Sequence, residues 1–322
     1  MLTNGVQSQY RGESAEQMEQ ENPNIQSRCV DIHYGGISDT GKVRPENQDA
    51  FLIEPEMGLF LVSDGMGGVP GGALASKIVV DVLPKIIKRR TRNVTPDSML
   101  PIQDLLQREI VNLSERVRME GRKNGYQKMG ATLVLGLICD GQSYIAHVGD
   151  SRAYLFRDDG LVPLTTDHSI VGLLLQYGLI TPEVARRYQG RGRITRYVGM
   201  EGPVSPDVRI VDIKRGDRIL LCTDGLHGIV PETEMSGILK AFPDPDDACR
   251  ALINAANAAG GTDNITAVVM DWEAISRLHK PSTRIEPPES GVGSRSNSIA
   301  RSMSANIFRQ RTGLRRPAHF SV

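Results

Sequence analysis

Hydrophobic positions along this chain fall mostly in runs of strand length. Phe51–Ile53, Leu59–Val62, Ala131–Cys139, Ser143–Val148, Ala153–Arg157, Arg209–Ile213, Arg218–Cys222 and Thr266–Asp271 are apolar or alternate with the two-residue period of a pleated strand. Three segments instead show the three-and-four spacing of a helix face. Ile102, Leu105, Leu106, Ile110, Leu113 and Val117 form one stripe, and Ala248, Ala251, Leu252, Ala255, Ala256 and Ala259 another. The third runs from Ala73 to about Ile87 and contains Pro84, which lacks an amide proton and is expected to kink or divide it. Many short strands with a few segregated helices predict an α+β sandwich of antiparallel sheets rather than a doubly wound parallel sheet.

Charge adds limits. The 38 Lys and Arg balance 38 Asp and Glu, which argues against nucleic-acid binding by bulk charge and against an acidic disordered chain. The balance is a sum over unlike parts. Residues 1–28 carry two Arg against four Glu, residues 277–322 nine basic against two acidic residues, and the stretch between them 27 basic against 32 acidic. The first 28 residues nearly lack large apolar side chains and are expected to be a disordered leader. The Ser- and Arg-rich residues 277–322 are expected to be a disordered basic tail, a tether to an acidic partner or a phosphorylation target. Residues 29–276 are then one domain. Cys29, Cys139, Cys222 and Cys249 are far apart and form no Cys-x-x-Cys pair, which suits reduced thiols. No stretch approaches the roughly 18 apolar residues that a membrane helix requires, and a cytoplasmic protein without a transmembrane segment is expected.

The placement of the acids carries the chemistry. Of four Asp-Gly pairs, Asp140-Gly141 and Asp159-Gly160 stand between two strand-like runs and read as hairpin turns. Asp64-Gly65 and Asp224-Gly225 close LFLVSDG and ILLCTDG and lead toward a helix, so no second hairpin strand accounts for them. Asp150 ends YIAHVGD, while Asp263 and Asp49 stand just before strands. Each alone is more often a turn or cap residue. Five at strand ends would repel one another unless a cation neutralised them, and oxygen donors without Cys or paired His favour Mg²⁺ or Mn²⁺ over Zn²⁺. Spacing alone does not bring the five together.

The ordered series SDTGKVRPENQDAF, VSDGMGG, MGATLVLGLI, AHVGDSRAYLFR, LTTDHS, ITRYVG, GDRILLCTDGL and GGTDNITAVV resembles the metal-dependent serine/threonine protein phosphatases of type 2C, in particular their bacterial branch, over about residues 30–272. The resemblance implies a four-layer α-β-β-α sandwich with two Mn²⁺ or Mg²⁺ ions at one end, and a third in bacterial members. It implies that Asp64 bridges both ions with the Gly65 carbonyl on the second, and that Asp224 and Asp263 bind the first. Asp49 would serve the second, and Asp150 with Asp224 the third. It further implies direct attack on phosphoserine or phosphothreonine by a metal-bridging hydroxide, with Arg44 gripping the phosphate. Asn264 and Thr266 are expected to order the Asp263 loop.

Two positions depart from the family pattern. Met66 stands where eukaryotic relatives commonly have a His able to protonate the leaving oxygen, and Gln48 where many have Glu. The first excludes a histidine acid there; the second removes a charge near the second metal. His168 and His227 are read as structural, with substrate contact as the alternative, and His147 as a packing residue. Residues 167–200 occupy the place of the family's flap, where Arg186, Arg187, Arg191, Arg193 and Arg196 would attract acidic or phosphorylated substrates. The expected protein is a monomer acting on phosphorylated proteins, opposing a bacterial-type Ser/Thr kinase. Two other readings stay open: a phosphatase of an anti-sigma-factor antagonist in a stress switch, and an inactive relative that binds phosphoproteins.

Overall fold

The computed structural model describes residues 32–68, 71–92, 101–126, 128–139, 142–188, 190 and 192–272. The leader before residue 29, Cys29 and the tail after 276 lie outside them. In chain order the elements are β1 (Ile32–Asp39), β2 (Asp49–Glu54), β3 (Leu59–Met66), α1 (Gly71–Arg92), α2 (Ile102–Lys123), β4 (Gly130–Ala131), β5 (Leu133–Cys139), β6 (Gln142–Val148), β7 (Arg152–Arg157) and β8 (Gly160–Pro163). They continue with α3 (Ile170–Gln176), α4 (Pro182–Arg186), β9 (Asp207–Val211), β10 (Arg218–Cys222), α5 (Asp224–His227), α6 (Glu232–Ala241), α7 (Pro245–Ala258) and β11 (Ile265–Trp272).

The strands form two antiparallel sheets, ordered β1-β11-β10-β7-β8 and β2-β3-β5-β6-β9, with β4 added to the end of β3. Alternation within each strand divides the apolar side chains among three layers. Phe60, Val62, Val134, Ile145, Leu155, Leu221 and Val268 fill the space between the sheets. Leu59, Leu61, Leu133 and Leu135 point the other way, onto Val79 and Leu83 of α1 and Leu106, Ile110 and Leu113 of α2. Leu220, Cys222, Ala267 and Val269 pack against Leu252 and Ala256 of α7 and Met235 of α6. Three apolar layers between four layers of structure make the expected α-β-β-α sandwich. Among the described residues no helix is long and apolar enough to cross a membrane.

Several local expectations need correction. Of the two outcomes expected at Pro84, a kink or a division, the helix is not divided: α1 runs through the proline as one element of 22 residues, with Leu83 and Ile87 buried in the core. Burial there outweighs the lost hydrogen bond. The run 131–139 is two strands, broken at Thr132. The strand expected over 209–213 begins two residues earlier, at Asp207. The turn expected at Asp159-Gly160 lies one residue back: Arg157 pairs with Gly160, and Asp158 and Asp159 take left-handed φ of 52° and 61°, which Asp tolerates. Asp140-Gly141 lies outside the described residues, between strands that pair with Cys139 opposite Gln142. β1 has no counterpart among the strands predicted from the pattern. Its IHYGGISD carries two glycines that strand propensity disfavours but close packing demands, since a Cβ on Gly35 would lie 2.5 Å from the Asp246 amide and one on Gly36 2.8 Å from the Phe51 ring.

Candidate active site

The two sheets meet the acids at one end. Asp49 opens β2 and stands opposite Asp64 near the end of β3. From the other sheet, Asp224 follows β10 as the first residue of α5, and Asp263 lies two residues before β11. Hydroxyls hold the sheets together here. Thr223, beyond β10, and Thr266, in β11, both donate to Asp49 Oδ2, at 2.9 and 2.7 Å. Ser38 of β1 completes the chain, its Oγ 2.8 Å from that of Thr266 and accepting from Asn47 Nδ2 at 2.7 Å. Thr266 therefore orders Asp49 rather than the Asp263 loop, a correction to its expected role. Thr223 and Ser38 lie within the quoted motifs but were not singled out, since Thr223 serves a carboxylate 174 residues away and Ser38 reaches Asp49 only through Thr266.

Asn264 does order its loop. Its amide donates to the carbonyls of Thr40 and Glu46, both at 2.9 Å, its Oδ1 accepts from the Gln48 amide at 2.8 Å, and its backbone N–H donates to Asp263 Oδ1 at 2.9 Å. One buried side chain thus ties the approach to β2 to the approach to β11. The break at Thr132 serves Asp64: Thr132 Oγ1 accepts from the Asp64 amide at 2.9 Å, and the Thr132 amide donates back to the Asp64 carbonyl at 2.8 Å.

The glycines beside the aspartates allow backbone to approach backbone. A Cβ on Gly65 would fall 2.1 Å from the Gly72 carbonyl oxygen, and one on Gly225 1.9 Å from that of Asn264. Gly72 in turn leaves the Gly65 carbonyl uncovered, since its own Cβ would lie 2.7 Å from that oxygen.

The acids share one electrostatic environment. Burial, then repulsion from Asp49, Asp224, Asp150 and Asp263, holds Asp64 well above the usual carboxylate range. Burial foremost raises Asp49 to about 7, despite its two threonine hydrogen bonds, Asp224 to about 6 and Asp150 to about 8. Asp150 feels Asp224 most among its neighbours and so sits on that side. Among the described residues, the buried oxygens Asp49 Oδ1 and Asp224 Oδ1 have no hydrogen-bond partner. Buried acceptors of this kind are costly unless something positive meets them. The donor set is all oxygen, and it fits a hard divalent cation.

Arg44 lies at this end but its Nη2 is paired to Asp263 Oδ2 at 2.7 Å, with the guanidinium half exposed. Asp263 keeps it charged. Gln48 points its amide at Glu46 Oε1, 2.7 Å away, so an acidic side chain stands two residues before the expected position. Asp167 and Arg152 form a bidentate pair at 2.7 and 2.8 Å beneath Asp150, which the sequence did not single out.

The histidines are engaged within the protein. His227 is bonded to the Asp150 carbonyl, and His168 to the Gly149 amide. These contacts suit a structural role for each. His147 does more than pack: it bonds the Thr166 carbonyl at 2.9 Å and stacks on His168, with ring centroids 4.5 Å apart. His147, His168 and Asp207 bring ligand-type atoms within 4.8 Å of one another. The rings are within 18° of parallel, so their in-plane lone pairs do not converge on one ion.

Residues 167–200 contain α3, α4 and two bridges, Ser169 with Ile194 and Val198 with Ala131. Arg187 and Arg193 are exposed, whereas Arg196 pairs with Asp207 at 3.3 Å. Arg191 lies outside the described residues.

A sandwich of this topology with clustered acids at one end is the framework of a metal-ion phosphatase. The model of the protein phosphatase 2C family matches residues 43–265, and the chain belongs to that family. It is 35% identical over 250 residues to the serine/threonine phosphatase stp of Listeria monocytogenes, covering 76% of this chain and 98% of the relative. Among solved structures, the serine/threonine phosphatase of S. agalactiae superimposes with a TM-score of 0.67 at 31% identity, covering 75% of this chain and all of that one. The catalytic domain of the phosphatase PstP in complex with two manganese ions matches with a TM-score of 0.63 at 31% identity, covering 75% and 98%.

Proposed function

We propose that this chain is a Mn²⁺- or Mg²⁺-dependent phosphatase that hydrolyses phosphoserine and phosphothreonine in proteins. The observation that carries the reading is the convergence of Asp49, Asp64, Asp224 and Asp263 from two sheets, with two buried carboxylate oxygens that have no partner among the described residues. Asp64, Asp224 and Asp263 would hold the first cation, Asp64, Asp49 and the Gly65 carbonyl the second, and Asp150 with Asp224 a third. Divalent cations bound there would acidify a water and offset charge on the phosphoryl oxygens.

The chain's own groups do the rest. Thr223 and Thr266 hold Asp49 Oδ2 and so fix the carboxylate, whose Oδ1 would be the oxygen offered to a cation. Arg44, half exposed and permanently charged, exchanges Asp263 for a phosphoryl group, where its fork gives a bidentate contact. Met66 offers no proton, so the leaving oxygen must take its proton from another group than the residue after Gly65. We assign this activity to residues 29–276, with 167–200 as a flap whose exposed Arg187 and Arg193 favour acidic substrates.

The relatives' names support a role in phosphoprotein signalling, and we take the substrate kinase partner to be of bacterial Ser/Thr type and the enzyme to be a cytoplasmic monomer. Hydrolysis of p-nitrophenyl phosphate and a phosphothreonine peptide should require Mn²⁺ or Mg²⁺, stop with EDTA, and fall at least a hundredfold in Asp64→Asn. Turnover without metal, or wild-type turnover in Asp64→Asn, would overturn the proposal.

A further inference from the structure

The segment that carries Asp150 is held by two histidines. Gly149 has φ +110°, and a Cβ there would strike the Thr132 side chain at 2.7 Å. Its carbonyl accepts from the His168 amide at 2.9 Å, and its own amide donates to His168 Nδ1 at 3.2 Å. The next carbonyl, that of Asp150, accepts from His227 Nε2 at 2.9 Å. His227 closes the single turn of α5 that Asp224 opens, so this turn holds Asp224 at one end and grips the Asp150 backbone with the other. Burial keeps both imidazoles neutral, pushing His227 down to about 3 and His168 to about 4. The contacts then assign the tautomers. His227 carries its proton on Nε2, where it meets a carbonyl; His168 accepts at Nδ1, and its Nε2 stands 3.2 Å from both Asp207 Oδ2 and Arg196 Nη1.

We propose that His227, supported by His168, is a positioning residue that sets the distance between the carboxylates of Asp150 and Asp224. The inference rests on the phosphatase reading above and concerns the weakest of its cation sites. The backbone link matters because an Asp side chain has only two rotatable bonds, so once its peptide is fixed the carboxylate has few places to go. Outer contacts of this kind typically change metal affinity by about 10–100-fold.

The test compares His227→Phe, which keeps the ring volume and removes the donor, with His227→Gln, whose amide nitrogen takes the place of Nε2. Mn²⁺ binding is followed by electron paramagnetic resonance, and p-nitrophenyl phosphate turnover is split into kcat and KM. The expected result in His227→Phe is a weakest Mn²⁺ equivalent bound at least tenfold less tightly, tighter equivalents unchanged, kcat at least tenfold lower and KM within twofold. His227→Gln recovers most of both losses, and His168→Asn, which keeps an acceptor for the Gly149 amide, behaves like it. If the phenylalanine variant does not fold, His227→Asn, one methylene too short to reach, replaces it. A wild type that binds only two Mn²⁺ ions, a His227→Phe protein with unaltered binding, or a folded His227→Gln protein as impaired as His227→Phe overturns the inference. Wild type that binds no Mn²⁺ and turns over without metal instead overturns the phosphatase reading itself.

Discussion

Asp49 and Asp64 face each other directly across the β2–β3 ladder. Two carboxylates at such a pair repel and weaken the sheet, and burial compounds the cost. Each stays because a neighbouring group is bound to it: Thr223 and Thr266 to the Asp49 side chain, and Thr132 to the backbone of Asp64. These bonds orient the pair without neutralising it. The remaining charge is what a divalent cation would take up.

That arrangement predicts how stability changes with pH in EDTA. Asp224, Asp49 and Asp150 titrate in the fold near 6, 7 and 8, whereas an unfolded Asp titrates near 4. Between these values the folded state holds protons that the unfolded chain has lost, so stability falls as pH rises. Below about pH 6.5 His168 and His227, buried neutral and lowered to about 4 and 3, work in the opposite sense, so the Tm in EDTA should drop from about pH 6.5 to pH 8. Mn²⁺ should raise Tm more at pH 8 than at pH 6, because at lower pH it must displace protons. A Tm in EDTA that climbs over this range would contradict the shared burial of the acids.

Gly225→Ala should disturb the site from behind. The added methyl meets the Asn264 carbonyl, which is backbone and cannot rotate away, and the Asp263 loop must move. We expect a loss of about 1–3 kcal/mol from overpacking and Mn²⁺ binding weakened at least tenfold, read by urea unfolding and calorimetry. Gly237→Ala is the control. That position lies in α6 with nothing within 4 Å of a new Cβ, so the substitution should stabilise by about 0.5–1 kcal/mol and leave Mn²⁺ binding unchanged.

Arg44→Lys should separate charge from geometry. Lysine keeps the attraction to Asp263 and to phosphate but lacks the fork. KM for a phosphothreonine peptide should rise about tenfold while Mn²⁺ binding stays near wild type. An unchanged KM would remove Arg44 from the phosphate site.

Arg218 should matter to stability alone. It is buried, ion-paired to Asp271 at 2.6 Å, and donates to the carbonyls of Leu239, Phe242 and Pro243, joining β10 and β11 to the end of α6. Arg218→Met strands these acceptors and should cost about 3–5 kcal/mol in chemical denaturation. Turnover per folded molecule at low temperature should be unaffected, since these contacts lie at the far end of the strands from Asp224.

Most strands were legible because alternation is a local property. LFLVSDG reads as a strand with a charged end wherever it sits, and the stripe from Ile102 to Val117 reads as a helix. β1 was not, because its glycines make sense only against α7 and Phe51. That Pro84 does not divide α1 was hidden for a related reason: its penalty is local, while the burial that offsets it comes from the sheet below α1.

The sequence by itself determined which residues could carry the chemistry, since five aspartates at strand ends, two of them followed by glycine, are visible in one dimension. Tertiary structure alone decided that they meet. The hydrogen bonds that join Asp49 to Thr223 and Thr266 span 174 and 217 residues, and the Arg44–Asp263 pair spans 219. No local pattern reports such distances, because they arise from the stacking of two sheets whose order in space differs from their order in the chain.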